Sequence, residues 1–127
     1  MSAPSEPVFD KAEADALLPR LEPLLRDLQG AVLSDAMAGM QEHAAHGGRS
    51  NGAARAAASA SRSAARIHAI LEEIAEFGVI LRDVATGLCD FPALREGRPV
   101  YLCWRLGEGE VGWWHPRDAG VAGRRPL

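Results

Sequence analysis

With 127 residues, the chain is long enough for one hydrophobic core and too short for two. A formal charge of −3, from 14 basic and 17 acidic residues, argues against a general nucleic-acid binder, which needs a basic face. No apolar run approaches the roughly 20 residues that span a bilayer, and two cysteines behind a polar start fit a reducing, cytoplasmic setting.

Residues 1–8 read as a flexible lead with two prolines. Asp10 and Glu13 have the spacing of a capping box, in which each side chain accepts from an amide that the first helical turn leaves unpaired. Phe9 stands before the cap as a candidate hydrophobic staple. Pro19 disfavours helical geometry at Leu18, so the pattern predicts a short helix, a bend and a long helix over 19–46. Leu21, Leu24, Leu25, Leu28 and Val32 give that helix its apolar stripe, and Pro23 should distort it. His43 and His46 could share a face near its end, but no third ligand stands close in sequence, and a solvated helix end is the simpler reading. The Gly-rich stretch 47–52 reads as a loop.

A second helix is expected over 53–77, with a seam of Ala53, Ala57, Ala60, Ala64, Ile67, Leu71 and Ile74 at alternating spacings of four and three. Its Ala-rich half should fray or pack on another copy, while Glu72, Glu73 and Glu76 face water. Gly78 is a natural helix stop. The pair of helices reads as a scaffold, because its polar groups do not converge.

At Gly78 the period changes from helix to strand. Val79–Arg82, Leu88–Phe91, Val100–Leu106 and Val111–His115 are short and rich in β-branched and aromatic residues, with turn chemistry between them. Connections this short demand antiparallel neighbours. The expected fold is therefore α+β: a long antiparallel helical hairpin (9–77) packed on one face of a four-stranded antiparallel β-meander (79–116), with a Gly/Arg-rich tail (117–127), all in a single domain.

Registers follow from the shortest turns. Leu106 opposite Val111 puts Trp104 opposite Trp113 and Leu102 opposite His115; Phe91 opposite Val100 puts Cys89 opposite Leu102. One face then collects the core, including His115. The other collects Ile80, Arg82, Leu88, Asp90, Tyr101, Cys103, Arg105 and Trp114, and is too apolar to be left bare. The tail, a second subunit or a ligand should cover it. Cys89 and Cys103 fall on opposite faces and should not form a disulfide.

Several motifs together, Gly87-Leu88, Asp90-Phe91-Pro92, Gly97-Arg98, Cys103-Trp104, Gly107-Glu108, Trp114-His115 and Gly120-x-Ala122-Gly123-Arg124-x-Pro126, resemble a bacterial family named as domain of unknown function 2203. The Phe9-Asp10 and Leu17-Leu18-Pro19 start is similar to that family's opening. The resemblance covers nearly the whole chain. It implies an α+β domain of this size and brings no activity, cofactor or catalytic residue. The family usually has an aliphatic residue in place of Cys89, which argues against a special role for that thiol.

Four chemistries compete for the last third of the chain. Asp83, Glu108 and His115, with Asp90 and the two cysteines, are weak metal candidates: the spacing is not that of a zinc finger, and the register separates Cys103 from His115. Cys103 beside Asp90 and Arg105 could be a nucleophile, but lacks a His on its face. Arg98, Arg124 and Arg125 beside Trp and Tyr rings could take an anion or small molecule, without any phosphate-loop motif; alternatively Arg124 pins the tail to Asp83, Asp90 or Glu108. The leading expectation is a protein-interaction or homodimer surface of Asp90, Arg98, Tyr101, Cys103, Arg105, Trp114 and Arg124, since Trp, Tyr and Arg dominate interface energies. No cofactor, nucleic acid or membrane is expected, and catalysis is left open.

Overall fold

In the computed structural model, residues 6–44 and 50–127 are described, except for the side chains of 38–44, 50, 51, 53 and 56. Helices α1 (Lys11–Ala44) and α2 (Ser50–Glu76) precede strands β1 (Ile80–Asp83), β2 (Leu88–Arg95), β3 (Arg98–Trp104), β4 (Trp113–Pro116) and β5 (Arg125–Pro126), with a 3₁₀ turn at Val121–Gly123. The strands form one antiparallel sheet in the order β1-β2-β3-β4-β5. The fold is α+β, with five strands rather than the expected four, because the tail supplies the last one. His43 and His46 lie outside the residues whose side chains are described.

The chain divides into two compact units, one up to Leu25 and from Ile74 onward, the other Arg26–Glu73. In the first, the capping box forms as its spacing requires: the Glu13 amide donates to Asp10 Oδ1 at 2.7 Å and the Asp10 amide to Glu13 Oε1 at 3.0 Å. Phe9, the candidate staple, also reaches the sheet. Its ring meets Phe91 edge-on at 5.4 Å, and its amide donates to the Pro92 carbonyl at 2.7 Å, tying the helix start to β2. The expected break at Pro19 is absent. Pro19 and Pro23 sit on the exposed side of α1, while Ala14, Leu18, Leu21 and Leu25 are buried on the other side. Each interior proline costs about 3 kcal/mol. Three buried leucines at about 1.5–3 kcal/mol each match that cost.

Gly78 ends α2 with φ +85°, and a Cβ there would stand 2.5 Å from Pro7 Cγ. Only glycine meets both demands. The turn between β2 and β3 is just Glu96-Gly97, both at positive φ, the two-residue type whose twist suits a hairpin.

In the second unit, α1 buries Leu28 and Ala31, α2 buries Ser63 and Ile70, and Asp27 pairs with Arg66. The α2 seam keeps half of the expected positions and moves the other half by one residue. Ala57, Ala64 and Leu71 are exposed, and Ser63, Ile67 and Ile70 take the inner side. The two readings share Ala60, Ile67 and Ile74 and differ at Ser63 against Ala64 and Ile70 against Leu71; a serine is small enough to pack where its polarity argues otherwise.

The sheet register corrects the expected one. Between β2 and β3, Phe91 faces Leu102 and Cys89 faces Trp104, two residues from the expected pairing, which preserves the faces. Between β3 and β4 the slip is one residue: Tyr101 faces His115, Leu102 faces Trp114 and Cys103 faces Trp113. A one-residue slip turns every side chain of β4 over. The cause is the connection, which occupies 105–112 and not a four-residue turn. Within it, the Glu108 amide bonds the Arg105 carbonyl, Trp104 Nε1 donates to Gly109 O at 2.8 Å, and buried Val111 donates its amide to Asp15 Oδ1 at 2.7 Å. Those contacts fix the register, and β4 starts only at Trp113.

A buried Asp–Cys–His cluster beneath the C-terminal segment

The slip brings His115 to the face of Asp90 and Cys103. Three neighbouring strands each supply one side chain: Asp90 from β2, Cys103 directly opposite on β3, and His115 from β4. Their ligand atoms all lie within 4.8 Å of one another. Exposure is 3% for Asp90, 0% for Cys103 and 2% for His115. Burial on this scale is tolerable only with partners. Asp90 Oδ2 accepts from Arg82 Nε at 2.9 Å, and Asp90 Oδ1 lies 3.0 Å from His115 Nε2.

The other imidazole nitrogen, Nδ1, lies 2.8 Å from the Pro116 carbonyl. A carbonyl only accepts, so this contact is a hydrogen bond when the proton is on Nδ1. A neutral ring then turns the bare lone pair of Nε2 toward a carboxylate oxygen, which is repulsive at 3.0 Å unless a proton or a cation stands between them.

Aromatic rings and arginines frame the cluster. Tyr101 tilts against His115 at 5.5 Å, with Arg82 over its ring at 5.2 Å and Arg117 at 4.4 Å. Arg117 also bonds Glu6 at 3.0 Å. Arg124 donates to Glu108 Oε1 at 2.6 Å and to the Cys103 carbonyl at 3.4 Å, and its guanidinium lies over the Trp113 ring at 4.9 Å. The segment Ala119–Val121 lies over the face, leaving a cavity of about 180 Å³ whose lining includes Arg82, Leu88, Asp90, Cys103 and His115.

Burial, and then the charge of Asp90, push the Cys103 thiol up to about 11, with Arg124 pulling the other way. Burial pushes Cys89 up to about 12. Both thiols are free and buried, on opposite faces as expected. A thiol held in its protonated form is a poor nucleophile at neutral pH, which weighs against covalent catalysis by Cys103 even though a His now shares its face. Arg82 is pushed up, chiefly by its bond to Asp90. For Glu108, burial works against ionisation, but bonds from Arg124 and the Arg105 amide outweigh it and hold the carboxyl below 4.5.

The expected surface of seven residues is thus dispersed. Asp90, Tyr101, Cys103 and Arg124 meet around the cluster. Trp114 is on the opposite face, with Arg95 over its ring at 4.6 Å and Arg125 at 5.3 Å. Arg98 lies beside it at the hairpin end. Arg105 follows β3 and pairs with Glu108 at 3.9 Å. Asp83 caps the β1–β2 turn through the Thr86 hydroxyl and amide at 2.6 and 3.1 Å. Of the three partners considered for Arg124, Glu108 is the one it takes. The tail is one of the three covers expected for this face, and Ala119–Val121 is the part of it that lies there; Arg117 was not singled out, and nothing in its spacing marks it. No helix among the described residues is long and apolar enough to cross a membrane.

No curated protein and no solved structure matches the chain. A family model does, over residues 7–127. The chain therefore belongs to the family described as "Uncharacterized conserved protein (DUF2203)".

Proposed function

We propose that the protein binds a divalent transition-metal ion of the zinc class through Asp90, Cys103 and His115. The carrying observation is the facing pair of His115 Nε2 and Asp90 Oδ1 at 3.0 Å, with Nδ1 engaged by the Pro116 carbonyl and Cys103 alongside. A carbonyl on the outer nitrogen is the usual way to fix a ligating imidazole. An ion roughly 2.0–2.2 Å from each of N and O and about 2.3 Å from sulfur suits such a mixed donor set. Arg82 on the far carboxylate oxygen would orient Asp90 in the same manner. Three protein ligands leave one position, and the adjoining cavity of about 180 Å³ offers room there for water or a small ligand. Coordination would displace the thiol proton, so affinity should rise with pH.

Cobalt(II) titration tests the reading. One equivalent should give a thiolate-to-cobalt charge-transfer band that Cys103→Ser abolishes, and protein purified without chelator should carry a stoichiometric metal. A protein without band or metal retains only the proton-sharing arrangement of His115 and Asp90, and the reading fails.

Self-association or docking of another protein is the second reading. It is favoured by exposed Leu33 (63%) and Met37 (52%), with Val32 and Leu71 also exposed, in the helical unit. Light scattering at micromolar concentration decides it, and Leu33→Glu with Met37→Glu should give a monomer.

A further inference from the structure

We infer that the opposite face of the sheet carries a second, independent site, a cleft that takes an anion with two or more linked phosphoryl groups. Arg95 and Arg98 are direct cross-strand partners at the end of the β2–β3 hairpin, and Arg125 in β5 is the partner of Trp114. These residues project to one face, where they line a cleft of about 450 Å³ together with Glu96, Pro99, Val100 and Pro116. That volume lies in the range of small-ligand sites.

Like charges placed directly opposite on a hairpin repel, so Arg95 and Arg98 side by side weaken the turn that holds them. Arg125 adds a third positive charge from another strand. Arg95, Arg98 and Arg125 make no ion pair among the described residues, although the chain is acidic overall, at −3. Glu96 offsets one of the three charges and leaves an excess of two. A bound polyanion would relieve that excess.

Geometry adds direction. Arg95 and Arg125 lie over the Trp114 ring at 4.6 and 5.3 Å. A cation–π contact of this kind uses none of the hydrogen-bond donors, so the guanidinium N–H groups stay available to a ligand. Those groups match phosphoryl oxygens in the paired, forked manner that lysine cannot reproduce. Trp114 therefore acts as the platform that holds two of the three forks.

Calorimetric titration of the whole protein with inorganic triphosphate, at low ionic strength and without divalent ions, tests the site. Saturable one-to-one binding is expected, with a change in Trp114 fluorescence that Trp114→Phe removes. The double variant Arg98→Ala with Arg125→Ala should bind at least ten times more weakly. The variant with Lys at both positions keeps the charge, and should still weaken binding several-fold through loss of the forks. A parallel titration with ATP identifies the source: equal affinity assigns the site to the phosphate chain alone, and tighter binding adds the base. No saturable binding by the wild type, or equal affinity in the wild type and both double variants, overturns the proposal. Cobalt(II) binding by Cys103 is read separately and stands or falls on its own.

Discussion

Two thiols, one on each face of the same sheet, are both wholly buried and live in different chemistry. Cys89 faces Trp104 across the strands, on the side that also buries Phe91, Val100 and Leu102. Cys103 faces Asp90, with His115 beside it and an arginine on its own carbonyl. Burial raises both thiols, to about 12 and about 11. Only around Cys103 do other donor atoms converge. Burial alone does not make a cysteine functional; its neighbours decide.

The sharpest way to break this contrast is Asp90→Ala. It leaves His115 facing nothing and Arg82 without its carboxylate, and removing one member of a buried charged pair typically costs about 3–5 kcal/mol. Urea unfolding measures it, and a loss under about 1 kcal/mol would mean that the cluster is not held together as described.

Glu108→Gln should cost roughly 1.5 kcal/mol, as expected when a hydrogen bond to a charged group is weakened. The sign of its pH dependence is fixed. The folded protein holds the Glu108 carboxyl below 4.5, so its contribution is present above that value and is lost as the pH falls through the lower, folded one. Melting temperatures taken from neutral pH down to acid should therefore converge for variant and wild type.

Cys89→Ala should cost about 1 kcal/mol, the effect of a small cavity in a close-packed face, and leave cobalt(II) binding unchanged. Loss of cobalt(II) binding in this variant would erase the distinction between the two faces. The smallest effect is kinetic. In the metal-free native protein at neutral pH, a thiol reagent should label neither cysteine readily, since both are buried and protonated. Rapid labelling of Cys103 alone would return the nucleophile reading to consideration.

Much of the architecture could be read from local chemistry. The Asp10–Glu13 box and the stop at Gly78 depend on a few adjacent residues, and both formed as their types dictate. The proline break failed because burial of Leu18, Leu21 and Leu25 on one side of the helix outweighed it, with both prolines on the other. The candidate cluster was half legible. Asp90 and Cys103 could be placed on one face by alternation, but His115 could not, since its side depended on how residues 105–112 fold. That path is set by Asp15, some ninety-six positions away from Val111, through a bond no spacing rule reveals.

The two ends of the sheet bear on association. At one margin stands β5, only two residues long, and one of them is Pro126, which has no amide hydrogen to offer. At the other stands β1, four residues long, with Arg82 and Asp83 exposed and an irregular step between Leu81 and Asp83. Short, charged, kinked or proline-bearing borders are poor templates for a foreign strand. Copies of this chain should thus not zip together by extending the sheet, even at high concentration. Any assembly that they form must use helices or side chains.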